Sequence, residues 1–132
     1  MIRIQNLHKS LHGGGHKVRI INDLDLHIPA GQFIAITGPS GSGKSTLLGL
    51  MAGLDSPTNG HVFLDGKDLT QLDENQLARL RGQKVGIIFQ SFYLIPTLTA
   101  HENVSIPSEL SSGNHSEEKA KEALKSVDLS HR

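Results

Sequence analysis

The chain has 132 residues, its 13 lysines and arginines are balanced by 13 aspartates and glutamates, and it contains no cysteine. A net charge of zero argues against nucleic acid as a partner, and the lack of cysteine excludes disulfides, thiolate metal sites and a cysteine nucleophile. The longest apolar runs are too short to span a bilayer and the N-terminus lacks the apolar core of a signal peptide, so we expect membrane association only through a partner.

The N-terminal segment predicts two strands. Residues 2–7, IRIQNL, alternate apolar and polar side chains, and residues 18–28 supply further strand material. Between them, residues 8–17 contain three consecutive glycines and are expected to form a loop. His8, His12 and His16 are spaced as zinc ligands on one helix face would be, but the glycines disfavour a helix and favour a solvated hairpin loop.

A glycine-rich stretch at residues 36–54, ITGPSGSGKSTLLGLMAGL, carries the strongest functional signal. Residues 38–45 match the pattern G-x-x-x-x-G-K-[ST], in which glycines let successive backbone N–H groups point into one anion-binding concavity. The preceding run at residues 32–37, QFIAIT, predicts a buried strand, and the leucines that follow are spaced as in a helix. Strand, loop and helix in this order are the setting of a phosphate-binding loop.

Individual residues of this loop have expected roles at a nucleotide. Lys44 supplies a charge for the outer phosphates, and the Ser45 hydroxyl is a ligand for Mg²⁺. The helix that begins here directs the positive end of its dipole to the same place, and Thr46 is placed to reach the α-phosphate. The predicted nucleotide-binding residues are Gly38, Pro39, Ser40, Gly41, Ser42, Gly43, Lys44, Ser45 and Thr46.

The next strand, within residues 61–69, is expected to end in a turn at Asp65 and Gly66. An aspartate after apolar residues is also typical of the Walker B strand of nucleotide hydrolases. Because glycine rather than glutamate follows, we interpret Asp65 as a turn residue.

Two capping boxes and a second apolar run follow. Asp73 with Gln76, and Thr99 with Glu102, predict two helix starts. Residues 85–90, VGIIFQ, predict a second buried strand in a central sheet. Acidic residues early and lysines late in SEEKAKEALKSVDL predict an amphipathic helix that starts at residue 116.

Three segments carry a resemblance to the ATP-binding domains of ABC transporters, and the resemblance extends over nearly the whole chain. GPSGSGKSTLL looks like the Walker A loop, and AGLDSPTNGHVFLDGKDL is similar to the turn, strand and turn that follow it. VGIIFQSFYLIPTLTAHENV looks like the Q-loop region, with Gln90 as its glutamine. The phrase LIPTLTAHENV is most similar to the subgroup that serves lipoprotein release and macrolide export.

The resemblance implies an α/β fold, in which residues 1–132 are the N-terminal portion of a single ABC-type P-loop domain with an antiparallel β-subdomain. It implies an ATP-binding subunit of a membrane exporter, with ATP and Mg²⁺ bound, Lys44 and Gln90 as catalytic residues, and Ser45 and Gln90 as metal ligands. Gln90 would also sense the γ-phosphate and the attacking water.

The same resemblance implies partners and a location. A second ATP-binding subunit would form a head-to-tail dimer with this one, and a membrane-spanning permease would dock on residues 91–98. The protein would then lie in the cytoplasm, peripheral to the inner (plasma) membrane.

Two departures from the family pattern qualify these expectations. Where the family places an aromatic residue against adenine, the matching position holds Leu11, which has no π-face. The sequence as given contains no signature motif, no Walker B carboxylate pair and no switch histidine, so we expect no ATP turnover by this chain alone. A non-hydrolysing nucleotide-binding fragment therefore stays open, as does a P-loop kinase or GTPase, although the Gln90 segment argues against the latter.

Overall fold

The structure, a computed structural model, describes residues 1–13, 15–112 and 116–131. It contains two compact units, Met1–Val85 and Gly86–Arg132. Within the described ranges, no helix combines the length and the apolar character needed to cross a bilayer. The elements are β1 (Ile2–Gly13), β2 (His16–Ile28), α1 (Lys44–Met51), β3 (Asn59–Leu64), β4 (Lys67–Asp68), a 3₁₀ turn (Leu69–Gln71), α2 (Glu74–Lys84), α3 (Ala100–Ser112) and α4 (Ser116–Ser126).

A four-stranded antiparallel sheet in the order β2-β1-β3-β4 is the frame of the first unit. Ile4 and Leu7 of β1 are both fully buried although they are three residues apart, a spacing that would place them on opposite faces of a regular strand. The pairing register shifts between them, where Asn6 has a φ of 47°, and this bulge turns both side chains into the core. The rest of this core comprises Leu50, Met51, Val62, Leu64, Leu69 and Leu80.

Two cationic side chains hold the segment that follows the C-terminal end of α1. Lys9 of β1 is buried, and its ammonium donates hydrogen bonds to Asp55 Oδ1 and to the carbonyl of Ser56, each at 2.7 Å. Arg81 of α2 donates to the carbonyl of Gly53 at 2.6 Å. The helix that follows the glycine-rich loop is therefore held from both the sheet and α2.

The expected loop at residues 8–17 is wrong, because β1 continues to Gly13 and β2 begins at His16. The pairs Leu11↔Val18, His12↔Lys17 and Gly13↔His16 continue the antiparallel ladder, which needs backbone groups rather than apolar side chains. Gly14 lies outside the described residues. The histidines thus lie on a hairpin, and no group of three potential metal ligands forms in the described parts of the chain.

The two continuous apolar runs are not strands in this structure, so both strand predictions are wrong here. Residues 32–37 and 85–90 pair with no strand among the described residues, and Phe33 and Ile88 are 97% and 101% exposed. Such sequences suit a sheet covered on both faces, where each strand needs neighbours for its hydrogen bonds. The sheet that forms is instead the antiparallel one.

The locally encoded helix starts are confirmed. Asp73 and Gln76 form a reciprocal capping box at α2. At α3, Thr99 N–H donates to Glu102 Oε2 at 2.7 Å and Glu102 N–H donates to Thr99 Oγ1 at 3.2 Å. In the second unit α3 packs on α4, which begins at Ser116 as predicted and buries Ala120 and Leu124.

Gly60 is predicted to stabilise the fold by letting β3 lie close to β1. A Cβ at this position would lie 2.2 Å from the carbonyl oxygen of Asn6 in β1, and φ is +88°. Gly66 also has a positive φ, +82°, but a Cβ there meets nothing within 4 Å. We expect Gly60→Ala to lower the free energy of unfolding by at least about 2 kcal/mol more than Gly66→Ala, measured by urea unfolding. Equal losses for the two variants would show that β1 and β3 do not approach this closely.

Candidate functional site

The glycine-rich loop turns tightly in front of α1. Ser42 N–H donates to the carbonyl of Pro39 at 3.3 Å, and Gly38, Gly41 and Gly43 have φ of 151°, 78° and 88°. L-residues with a side chain rarely adopt this region, so the glycines of the sequence pattern occupy the positions that need them. A Cβ at Gly38 would also lie 3.1 Å from Ser42 Oγ, across the inside of the turn.

Gly43 joins the loop to the hairpin. It is the N-cap of α1, and a Cβ there would lie 3.0 Å from Ile20 Cγ2 and 3.1 Å from the Ile20 carbonyl oxygen of β2. Only a glycine combines this left-handed backbone with so close an approach. The sequence pattern marked Gly43 but could not indicate Ile20, because the contact joins residues distant in the chain.

Lys44 is folded over the loop that precedes it. Its ammonium donates hydrogen bonds to the carbonyls of Gly38 at 2.9 Å and Pro39 at 2.7 Å, and to Ser42 Oγ at 3.4 Å. The positive charge therefore lies against the turn of the loop, and its expected role at the outer phosphates stays a prediction.

The first turn of α1 presents free donors beside this charge. The N-cap residue Gly43 has no side chain to cap the helix, and Leu47 N–H donates to the Gly43 carbonyl at 2.8 Å, so the N–H groups of residues 44–46 precede the first helical bond. In the part of the chain that the structure describes, the hydroxyls of Ser45 and Thr46 make no hydrogen bond. Lys44, free N–H groups and two free hydroxyls thus meet at one helix start, a donor set that fits a phosphate chain with its metal ion.

Gln90 belongs to the second unit, whereas the loop belongs to the first. Its side chain is exposed. The joint role of Ser45 and Gln90 as metal ligands stays a prediction.

The segment after Gln90 is apolar and exposed. Phe92, Tyr93, Leu94 and Ile95 are all exposed, and Leu98 is half-buried. Tyr93 has a left-handed φ of 48°, and its ring packs edge-on against Phe89 with 4.8 Å between centroids.

Asn103 of α3 organises this segment, a role that sequence reasoning missed. Its Oδ1 accepts from Ile95 N–H at 2.8 Å, and its Nδ2 donates to the carbonyls of Ile95 and Leu98 at 3.2 Å and of Thr99 at 2.9 Å. One side chain therefore holds the turn that leads from the exposed residues into α3.

Asp65 is engaged in ion pairs at the turn after β3. The amino group of Met1 donates to Asp65 Oδ1 at 2.8 Å, and Lys84 Nζ lies 3.4 Å from Oδ2. The amino group first, and Lys84 after it, hold the pKa of Asp65 below its usual value. Its φ of 48°, next to Gly66, confirms the interpretation as a turn residue.

Leu11 is half-exposed on β1 and lies opposite Val18, which is also exposed. Leu11 and Val18 therefore form an exposed aliphatic pair on this part of the hairpin. The pairing register of β1 and β2 shifts between Lys9 and Ser10, next to Ile20.

Comparison with known proteins gives concordant results. A family model described as ABC transporter matches residues 21–132. The chain is 49% identical over 110 residues to the lipoprotein-releasing system ATP-binding protein LolD 1 of Chlorobium chlorochromatii, covering 83% of this chain and 45% of that protein. It is 47% identical over 107 residues to the macrolide export ATP-binding/permease protein MacB of Brucella abortus, covering 81% of this chain and 17% of that protein. The chain thus spans less than half the length of these two relatives.

A solved structure matches the fold. It is the dimeric structure of a post-hydrolysis state of the ATP-binding cassette MJ0796 bound to ADP and Pi. The match has a TM-score of 0.88 and 38% identity, and it covers 97% of this chain and 57% of that one. The predicted α/β fold of an ABC-type ATP-binding cassette, present in part, is confirmed.

Proposed function

Because the chain belongs to the ABC transporter family, we propose that residues 1–132 are the N-terminal portion of a domain that binds ATP and drives a membrane exporter. The observation that carries this proposal is the loop at residues 38–46, where Lys44 lies against the loop carbonyls beside the free donors at the start of α1. LolD 1 and MacB, named for lipoprotein release and macrolide export, support an export function of this kind.

We assign the roles in nucleotide binding residue by residue. Backbone N–H groups of residues 40–46 would bind the phosphates, Lys44 would neutralise the outer ones, and Ser45 with Gln90 would hold Mg²⁺. The metal ion would neutralise charge on the phosphate oxygens. Gln90 senses the outer phosphate and the attacking water.

The chain as given is proposed to bind ATP without hydrolysing it at an enzymatic rate. In-line attack needs a water-orienting carboxylate and metal support. Asp65 follows an apolar strand in the manner of a catalytic aspartate, but it is paired with Met1 and Lys84. Hydrolysis is thus assigned to the complete domain in a head-to-tail dimer, and a dimeric arrangement of the matched MJ0796 cassette supports this.

Substitution of Lys44 tests the nucleotide site. We expect Lys44→Ala to weaken ATP binding at least about tenfold, because the phosphates lose a charge-assisted partner. Isothermal titration with ATP and Mg²⁺ measures this, with Lys119→Ala as a control for loss of one exposed lysine. Equal affinity in wild type and Lys44→Ala would refute the site. Phosphate release above background by the wild-type chain, lost in Lys44→Ala, would refute the absence of turnover.

Leu11 is proposed to contact the adenine base through its aliphatic surface alone. Aromatic stacking on a base contributes about 1–3 kcal/mol, so we expect Leu11→Tyr to tighten ATP binding about fivefold or more. His12→Tyr, on the opposite face of β1, is the control and should leave the affinity unchanged. If both variants bind ATP like wild type, the base lies elsewhere.

Residues 91–98 are proposed as the surface that a membrane-spanning permease covers. This segment exposes more apolar surface than is favourable in water, and Asn103 holds the turn that follows it. A loop with two discrete arrangements would let Gln90 couple nucleotide binding to the permease. The protein would then lie on the cytoplasmic side of the inner membrane.

Charge substitutions test the docking surface in the complete transporter. We expect Tyr93→Glu and Ile95→Glu to abolish transport and membrane association while ATP binding persists, because a carboxylate cannot be buried unpaired against an apolar partner. Leu110→Glu places the same charge at an exposed position of α3 and should leave transport and membrane association unchanged. If the first two variants unfold the protein instead, these side chains belong to its core.

A further inference from the structure

A second concave site lies in the first unit, between the turn after β3 and one face of α2. Its volume is about 310 Å³, at the lower end of small-molecule pockets, and none of residues 38–46 lines it. Leu64, Leu72 and Leu80 contribute its apolar surface, and Leu64 and Leu80 are buried. The leucines therefore give this open cavity an apolar surface on which a short apolar group can lie.

The charged lining of this cavity is predominantly cationic. Lys67, Arg79 and Lys84 line it together with a single carboxylate, Asp65. Asp65 is already paired with the Met1 amino group and with Lys84. Within residues 1–13, 15–112 and 116–131, neither Lys67 nor Arg79 forms an ion pair. Two cations thus border the cavity without a counter-charge.

Gln76 adds neutral donors to the same lining. Its Oε1 accepts the Asp73 N–H at 3.0 Å in the capping box, so its amide nitrogen, which can only donate, remains for other partners. Gln76, Arg79 and Gln83 line the cavity at positions i, i+3 and i+7 of α2, which share a helix face. Unmatched donors and cations above an apolar surface fit an anion that carries an apolar group.

We propose that this cavity binds a phosphate monoester with a short apolar stem. The phosphate dianion matches the two unpaired cations, and the planar guanidinium of Arg79 suits two phosphate oxygens at once. The stem lies on the leucines. The same chemistry is found at the head of an anionic phospholipid and in soluble phosphate esters.

Titration with three probes separates the two features of the site. Hexyl phosphate carries both head and stem, inorganic phosphate only the head, and hexanol only the stem. The titrations use residues 1–132 carrying Lys44→Ala, so that the loop at residues 38–46 does not supply the phosphate site, and backbone amide NMR shifts report the position. We expect hexyl phosphate to bind more tightly than either part and to shift residues of α2. The proposal would be overturned if inorganic phosphate bound as tightly as hexyl phosphate, or if the NMR shift changes were confined to elements other than α2.

Matched charge variants test the assigned cations. Arg79→Gln and Lys67→Gln should each weaken hexyl phosphate binding about tenfold, and Lys119→Gln on α4 should not. Circular dichroism checks that each variant is folded. If either Arg79→Gln or Lys67→Gln fails to fold, the other variant still tests the assignment. Unchanged affinity in a folded Arg79→Gln or Lys67→Gln variant would contradict the assignment.

Vesicle binding distinguishes the two sources of the ligand. If sedimentation with phosphatidic acid in phosphatidylcholine vesicles falls in Arg79→Gln but not in Lys119→Gln, the ligand is a lipid headgroup. If hexyl phosphate binds through Arg79 while vesicles do not, it is a soluble ester. Either result supports the site, and binding to neither probe through Arg79 overturns it.

Discussion

The position of the glycine-rich loop at residues 38–46 depends on one contact between two backbones, where Gly43 meets Ile20 of β2. The left-handed φ of Gly43 and the absence of a side chain let the start of α1 lie against the Ile20 carbonyl. A larger residue would displace either the helix or the strand, and the donors of the loop would no longer converge. The glycine is therefore as important for where the loop lies as for how it curls.

The hairpin that carries Ile20 is itself fixed to the rest of the first unit. β1 joins it to β3, with the Gly60 backbone against Asn6, and the buried Lys9 ties β1 to the segment after α1. A buried ammonium is stable only while its acceptors stay in place, so this tether resists movement of the helix end. The hairpin thus contacts α1 at its start through Ile20 and Gly43, and the segment after its end through Lys9. These two links restrict movement of the loop that joins the hairpin to α1.

Features encoded within a few residues were predictable, and features that need distant partners were not. The capping boxes at Asp73 and Thr99 and the loop before Lys44 require only local sequence, and each forms as expected. The apolar runs at residues 32–37 and 85–89 specify strands only if neighbouring strands supply hydrogen bonds, so their sequence could not decide their structure. For the same reason, the contact of Ile20 with Gly43 has no local signal. Asn103 bonds residues four to eight positions before it, in a loop whose shape its sequence does not specify. The extension of the β1–β2 ladder through residues 8–17 was missed because glycine and histidine mask a strand.

The oxygen atoms of the loop compete with any bound anion for the ammonium group of Lys44. The ammonium already has two carbonyl partners and a hydroxyl partner. The free energy that Lys44 contributes to binding an anion is therefore only the difference between its interaction with the anion and its interaction with the loop oxygens. A singly charged anion replaces neutral dipoles with little advantage, while a polyphosphate offers several charged oxygens to one ammonium. In the proposed nucleotide site, these contacts would favour ligands of high charge density, because only such a ligand offers the ammonium more negative charge than the loop oxygens already provide.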